Sequence, residues 1–438
     1  MPDRSHRREF IQQSATTLAA AAALSSRRAI AGSGASEKIG VALIGCGGRG
    51  VHDAELFKRV PGVEIVCVCD VDKARRQSAA KTLGVNESRA LPDMRQVLDD
   101  KSVMAVIVAT PDHWHSPAAI LACDAGKHVY VEKPISHNIR ESRLLVEASK
   151  RNRTLVQHGT QSRSTSTTIE AVRLLREGII GTVVSAKCWN IQRRGSIGHG
   201  QDTEPPPGLD YDNWVGPATM IAYRTNRVHN RWTMWHHFGA GEMGNDGVHD
   251  IDYTRWGLGV ESHPSYVSAA GGKFLSDDDS EFPDTQQVTF EYPGDGAPGS
   301  RRMLIYEQRL WSTNYPHNVD SGAEFYGTKG QMFLSRRGKL QVLNDNNRPI
   351  ELAVELNPQD DAAHVRNFCD AIRTGAKLNA DALTGHLSTS LCHLGNIATR
   401  LGRSLRFDPE KEQFIDDAQA NALVGRDYRE HWGRPRGA

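Results

Sequence analysis

The chain has 438 residues, with 53 Lys and Arg against 52 Asp and Glu, a formal charge of +1. That length allows two domains with large cores, and the even charge gives no electrostatic reason to expect nucleic acid as a partner. Beyond residue 30 no apolar run is long enough to span a membrane.

The N-terminus has its own character. His6-Arg7-Arg8-Glu9-Phe10-Ile11 precedes a mild apolar run at 15–24, and Ala29-Ile30-Ala31 supplies an A-x-A cleavage signal. This is the layout of an export peptide, and paired arginines before Phe10 resemble a twin-arginine signal. Residues 1–31 are read as that signal. The expected route is the twin-arginine export machinery, and the expected location is the periplasm or otherwise outside the cytoplasm. No membrane contact is expected after cleavage.

Residues 39–44 form an apolar run that reads as a strand buried on both faces. Gly45-Cys46-Gly47-Gly48-Arg49-Gly50 follows and matches G-x-G-x-x-G. Gly45 allows the tight turn, Gly47 a close approach to a pyrophosphate, and Gly50 a close helix–strand contact. A second strand at 63–69 ends in Asp70, placed to bind the adenosine ribose hydroxyls. A carboxylate there repels a 2′-phosphate, so the expected cofactor is NAD rather than NADP.

Helices at 73–83 and from 93 precede a third buried strand at 102–109, which runs into Thr110-Pro111-Asp112-His113-Trp114-His115. A helix to residue 125, a strand at 127–132 ending in Glu132-Lys133-Pro134, a helix at 138–151 and a strand at 154–158 complete the alternation. The expected fold is α/β, with a doubly wound parallel Rossmann sheet over 38–158. Over 159–438 the expectation is an α/β substrate-binding and oligomerisation domain. Strands there are expected at 182–190, 266–274, 286–292, 302–310, 324–326 and 339–343, as a large, mostly antiparallel open sheet. Helices are expected at 168–177, 362–374 and 383–401, a loop at 192–217, and a tail at 426–432 packed on the surface or on a partner subunit. A homodimer or tetramer joined through the second-domain sheet is expected. The seven cysteines include no C-x-x-C and read as buried free thiols.

GCGGRG, Asp70, TPDHWH, GKHVYVEKP (126–134) and GNDGVHDID (244–252) together resemble the Gfo/Idh/MocA family of sugar and polyol dehydrogenases. The likeness covers nearly all of the chain beyond the signal, and E-K-P is its most specific piece. The resemblance implies hydride transfer between a nicotinamide and a carbohydrate carbon. Lys133 would lie between cofactor and substrate as general acid/base, where a charged nicotinamide lowers its pKa. In several relatives the bond before the matching proline is cis, which the sequence alone does not decide here. The implied cofactor-binding set is Gly45, Gly47, Arg49, Gly50, Asp70, Thr110, Pro111, Asp112, His115, Glu132 and Lys133.

Asn245 and His249 are four apart and would share one face of an α-helix. Many members carry Asp at the Asn245 position, and Asn cannot ionise. Asp246 would fall on another face, so His249 is expected to assist alone, as donor or proton shuttle. The catalytic set is Lys133, His249 and Asn245. His113 and His115 diverge on a strand and have no third ligand nearby, so no metal is expected. His236, His237, Arg163, Arg231, Trp235, Tyr306 and Tyr315 remain pocket candidates. An alternative to the NAD-dependent oxidoreductase is an exported glycosidase with retained NAD, using a tyrosine such as Tyr306 as base. A third reading is a non-catalytic sugar- or nucleotide-binding protein.

Overall fold

A computed structural model describes residues 38–229 and 231–438; the export signal read at 1–31 lies outside them. The fold starts from β1 (Ile39–Ile44), whose Val41, Ala42 and Leu43 are fully buried. It is followed by α1 (Gly48–Lys58), β2 (Val63–Cys69), α2 (Lys73–Leu83), β3 (Ala90–Leu91), α3 (Met94–Asp99), β4 (Ala105–Val108), α4 (Asp112–Asp124), β5 (His128–Val131), α5 (Ile139–Asn152) and β6 (Val156–His158). The six strands lie in the order β3-β2-β1-β4-β5-β6, all parallel. That order reverses at β1, which is where such sheets open a crevice beyond their carboxyl ends.

The glycine loop shows why its residues are small. Gly45 has φ +96°, and a Cβ there would sit 2.5 Å from the Ala109 carbonyl oxygen. A Cβ on Gly50 would sit 2.1 Å from the Gly45 oxygen. The start of α1 can therefore lie against β1 and β4 only with glycine at both places.

The second domain adds α6 (Ser166–Arg176), β7 (Val183–Asn190), α7 (Tyr211–Val215), α8 (Val248–Leu258), β8 (Tyr266–Gly272), β9 (Thr285–Tyr292), β10 (Arg302–Arg309), β11 (Ser321–Gly327), β12 (Gly330–Ser335), β13 (Lys339–Asn344), α9 (Asp361–Thr374), α10 (Ala382–Leu401), β14 (Leu405–Asp408), β15 (Gln413–Phe414) and α11 (Ala418–Asn421). Its nine-stranded sheet runs β13-β12-β11-β7-β10-β9-β8-β14-β15, antiparallel except for the β7–β10 pair. Residues from α8, α10 and the buried face of the sheet, among them Tyr253, Leu391, Phe290, Tyr306 and Phe325, make its core. β12, β14 and β15 were not expected; β14 and β15 are short strands whose register depends on a neighbour.

Two segments of the second domain reach onto the first. Helix α9 packs Val365, Phe368 and Cys369 into the core of the first domain, with Phe368 edge-on to Phe57 at 6.0 Å. The tail folds back on its own chain. Trp432 sits 5.4 Å from the Trp114 ring, donates to Asn213 Oδ1 at 3.0 Å and lies under the Arg95 guanidinium.

Candidate active site

The ends of β1, β2 and β4 open into a cavity of about 400 Å³. Gly45, Gly47, Arg49, Gly50, Asp70, Thr110 and Pro111 line it. Trp114, Trp214, Trp232 and Trp432 supply apolar wall; Arg75, Arg194, Arg231 and Glu242 bring charge. Asp70 accepts from the Cys46 N–H at 2.7 Å through Oδ2 and from the Asp72 N–H at 2.9 Å through Oδ1, which fixes the carboxylate at the rim. Glycine cradle, helix N-terminus and strand-end acid therefore fit a dinucleotide on the residues present.

Four expected cofactor contacts, Glu132, Lys133, Asp112 and His115, are not among the residues that line this cavity. Glu132 is buried and binds Arg49, whose Nε donates to Oε1 at 3.0 Å. Burial pushes the Glu132 carboxyl up, but Arg49, Lys133 and His115 together outweigh it and hold the group below its ordinary range. Asp53, 3.0 Å from Arg49, goes the other way: burial and the adjacent Glu132 raise it. Arg49 also donates to Asp361 at 3.0 Å, so α9 helps to fix the glycine-loop arginine. His115 spans two carbonyl oxygens, Nδ1 to Pro134 at 2.6 Å and Nε2 to Thr110 at 2.7 Å, and so ties together the two strand-end loops. Asp112 accepts from the Ala240 N–H at 3.2 Å, joining α4 to the second domain; burial pushes its pKa up to about 8.

The Lys133–Pro134 bond is cis. Lys133 is half-buried, and its Nζ donates to the Asn245 backbone oxygen, with Asn245 Oδ1 at 3.4 Å. The Asn245 amide is oriented by its own Nδ2, which donates to Glu242 Oε2 at 3.1 Å. Arg194 Nε donates to the other oxygen of Glu242 at 2.9 Å. Burial nevertheless raises the Glu242 pKa.

The helix face assumed from the sequence needs correction. Residues Met243–Gly247 form a π-helical turn that leads into α8. The wider turn changes the angular step, and π turns of this kind recur at functional sites. Asp246, which simple α-helical spacing would turn away, belongs to the same charged cluster as Lys133 and His249. It accepts two bonds from Arg336 at 2.8 Å, one from Asn190 Nδ2 at 2.9 Å and one from Gln192. Burial raises its pKa, but Arg336, then His249 and Lys133, hold it well below the ordinary range. His249 is buried, and its Nδ1 has no hydrogen-bond partner among the described residues. Burial, Arg336 and Lys133 depress its pKa more than Asp246 raises it, so the imidazole is neutral at neutral pH. Asp246, Arg336, Glu242 and Arg194 are thus site residues that sequence reasoning missed. The Asp246–Gly247 step of the motif was the available signal, hidden by the assumption of an α-helix.

The remaining candidates separate. Arg231 lines the cavity. His236 and His237 line a separate cavity of about 390 Å³ with Asn396 and Arg400. Arg163 is buried in an ion pair with Asp252 at 2.7 Å. Trp235 packs under Arg227, and Tyr315 packs against the Trp189–Phe333 cluster. Tyr306 lies fully inside the second-domain core, donates to Gln308 Oε1 at 3.0 Å and has its pKa pushed up by burial, so it is no candidate base. His113 and His115 lie on α4 rather than a strand; His113 Nε2 contacts the Trp214 carbonyl oxygen at 2.9 Å.

Residues 39–160 match the family model described as "Oxidoreductase family, NAD-binding Rossmann fold", and residues 182–434 match "Oxidoreductase family, C-terminal alpha/beta domain" of the same Gfo/Idh/MocA series. The scyllo-inositol 2-dehydrogenase (NAD(+)) of Bacillus subtilis (strain 168) is 26% identical over 343 residues, 76% of this chain and 86% of that protein. A glycosyl hydrolase family 109 protein of Saccharopolyspora erythraea is 37% identical over 160 residues, 34% of each chain. Among solved structures, levoglucosan dehydrogenase in complex with NADH is similar at a TM-score of 0.65 and 19% identity, over 84% of this chain and 98% of that one. Aldose-aldose oxidoreductase from Caulobacter crescentus is similar at a TM-score of 0.65 and 18% identity, over 85% and 100%.

Proposed function

The chain belongs to the Gfo/Idh/MocA oxidoreductase family, and from that premise we propose that it is an NAD-dependent oxidoreductase acting on a sugar, polyol or related carbohydrate. The observation that carries this reading is the bond from Lys133 to Asn245, itself a lining residue of the glycine-loop cavity. Gly45, Gly47, Gly50 and the start of α1 would hold the pyrophosphate, and Asp70 the adenosine ribose. Bound NAD would supply the hydride acceptor or donor. Lys133 Nζ, held by Asn245, is placed to exchange a proton with a substrate hydroxyl. Neutral His249 offers a second hydrogen-bonding group, and Asp246 with Arg336 balances the charge around it. Arg194, Glu242 and the tryptophan walls suit a polyhydroxylated ligand, which presents both hydroxyls and apolar ring faces.

The test is incubation of the purified protein with NAD and a panel of polyols, aldoses and glycosides. Net NADH formation with a polyol or sugar is expected. A second reading is favoured by the family 109 similarity over 160 residues: glycoside cleavage with retained NAD. Released sugar without net NADH would select it, and binding without either product would reduce the chain to a binding protein. Export through the twin-arginine route and assembly through the second-domain sheet belong to the same proposal. Arg7 and Arg8 support the first, and replacing both with Lys is expected to leave uncleaved precursor in the cytoplasm. The open nine-stranded sheet supports the second, which light scattering of the purified protein tests.

A further inference from the structure

Away from the cofactor cavity, three side chains from distant parts of the chain converge. His263 Nε2 lies 2.9 Å from Glu412 Oε1, His386 Nε2 lies 2.8 Å from the same oxygen, and the two nitrogens are 3.1 Å apart. The rings are perpendicular, with centroids 4.9 Å apart. His263 is 2% exposed and His386 0%, and none of the three lines the cavity described above. His386 comes from α10, His263 from the segment before β8, and Glu412 from the β14–β15 turn. Glu412 is there in the left-handed region, at φ +54°, uncommon for a residue with a side chain.

Ser142 Oγ donates to the Ile139 oxygen at 3.0 Å and lies 2.7 Å from His386 Nδ1. In the tautomer in which Ser142 keeps its proton on the Ile139 oxygen, it accepts from the Nδ1–H, and His386 Nε2 carries the lone pair that a metal requires. A serine that fixes the tautomer from behind is the arrangement that orients a metal-binding imidazole. His263 Nε2 has at most one proton for its two edges. Arg143 is the cation in contact: its Nε donates to Glu412 Oε2 at 3.0 Å, and its Nη2 donates to Glu412 Oε1 and reaches His386 Nε2 at 3.1 Å. Arg143 comes from α5 and its side chain is 28% exposed, so Nη2 has room to withdraw while Nε stays on Oε2.

We propose that His263, His386 and Glu412 form a divalent-metal site of the two-histidine, one-carboxylate type, with zinc the best-fitting ion and Arg143 as an outer partner of Glu412. An ion about 2 Å from all three atoms, the usual zinc distance, sits just off the plane of the triangle, leaving a fourth position for water. The site would pin α10, the entry to β8 and the C-terminal strands together, a structural role remote from the hydride chemistry.

The test uses the purified protein, stripped with chelator and then titrated with Zn²⁺, with metal content and melting temperature as readouts. Uptake of one zinc per chain with a rise in melting temperature, both lost in His386→Ala and Glu412→Gln, is expected. Arg143→Met separates a metal site from a plain ion-pair cluster. Its melting temperature should fall without zinc and recover when zinc is added. The proposal is overturned if wild type takes up no zinc, if Glu412→Gln takes it up equally, or if zinc fails to rescue Arg143→Met. Should the ligand variants fail to fold, wild-type uptake and the Arg143→Met rescue still decide.

Discussion

Asp246→Asn removes one charge from the π turn and almost no volume. The carboxylate accepts two bonds from Arg336 at 2.8 Å and one from Asn190 at 2.9 Å, in a site with little solvent. An amide keeps one acceptor but turns a donor toward the guanidinium or toward Asn190. Breaking a buried pair from one side costs about 3–5 kcal/mol. Asp250, 3.7 Å from Arg336, remains to compensate, so the lower end is expected. The functional consequence is separate. Without Asp246, burial, Arg336 and Lys133 act on His249 unopposed, so the imidazole becomes still harder to protonate. If the proton handled by Lys133 and His249 depends on that balance, turnover falls by ~10²–10⁴. Because the Asp246 pKa is depressed in the folded state, its stabilisation is present above pH ~4 and lost as pH falls below that. The variant should therefore lack part of the acid limb of wild-type unfolding. Turnover against pH, NAD affinity and melting temperature on one preparation make the assay. Near-normal turnover in a folded variant would refute the catalytic part; an unchanged melting temperature and acid limb would refute the electrostatic part.

Lys133→Met keeps bulk and removes the amine; turnover should fall by ~10²–10⁴ with NAD affinity near wild type, and normal turnover would remove Lys133 as the acid/base. Asp70→Ala should weaken NAD binding and relax discrimination against NADP, since Arg75 at the same rim is then free of the carboxylate; fluorescence titration with both nucleotides measures this, and unchanged selectivity contradicts it. Asp112 has its pKa raised by burial to about 8, so the unfolded chain releases its proton first and wild-type stability should decline between pH ~4 and ~8. Asp112→Asn can still accept from the Ala240 N–H and should flatten that decline in a denaturant series; an unaltered slope would show the group is not protonated. Tyr306→Phe loses only the hydroxyl bonded to Gln308 and should leave the pH profile of turnover in place; loss of its basic limb would reinstate Tyr306 as a base.

Much of the fold follows from local pattern. Buried apolar runs at β1, β2, β4 and β5 alternate with helices, and α2 spans Lys73–Leu83 as expected, with Asp72 accepting from the Arg75 N–H at its start and Gly84 left-handed at its end. The glycine loop and Asp70 are equally local, because a tight turn and a strand end need only their neighbours in sequence. The antiparallel domain was legible as a class, while β12, β14 and β15 were not, since a short strand takes its register from its partner.

Everything that depends on distant contacts waited for the tertiary structure. The π turn at Met243–Gly247 brings Asp246 into the cluster because Arg336, Asn190 and Gln192, contributed by other segments, hold it there. Helix α9 reads as part of the second domain until Phe368 is seen against Phe57. The tail reads as surface until Trp432 meets Trp114. His263, His386 and Glu412 lie 123 and 26 residues apart and make no motif. Sequence periodicity encodes which face of an element is apolar, and that determined the two sheets and the nucleotide loop. Which polar side chains meet at one point depends on how those elements pack, and only the folded chain decided that.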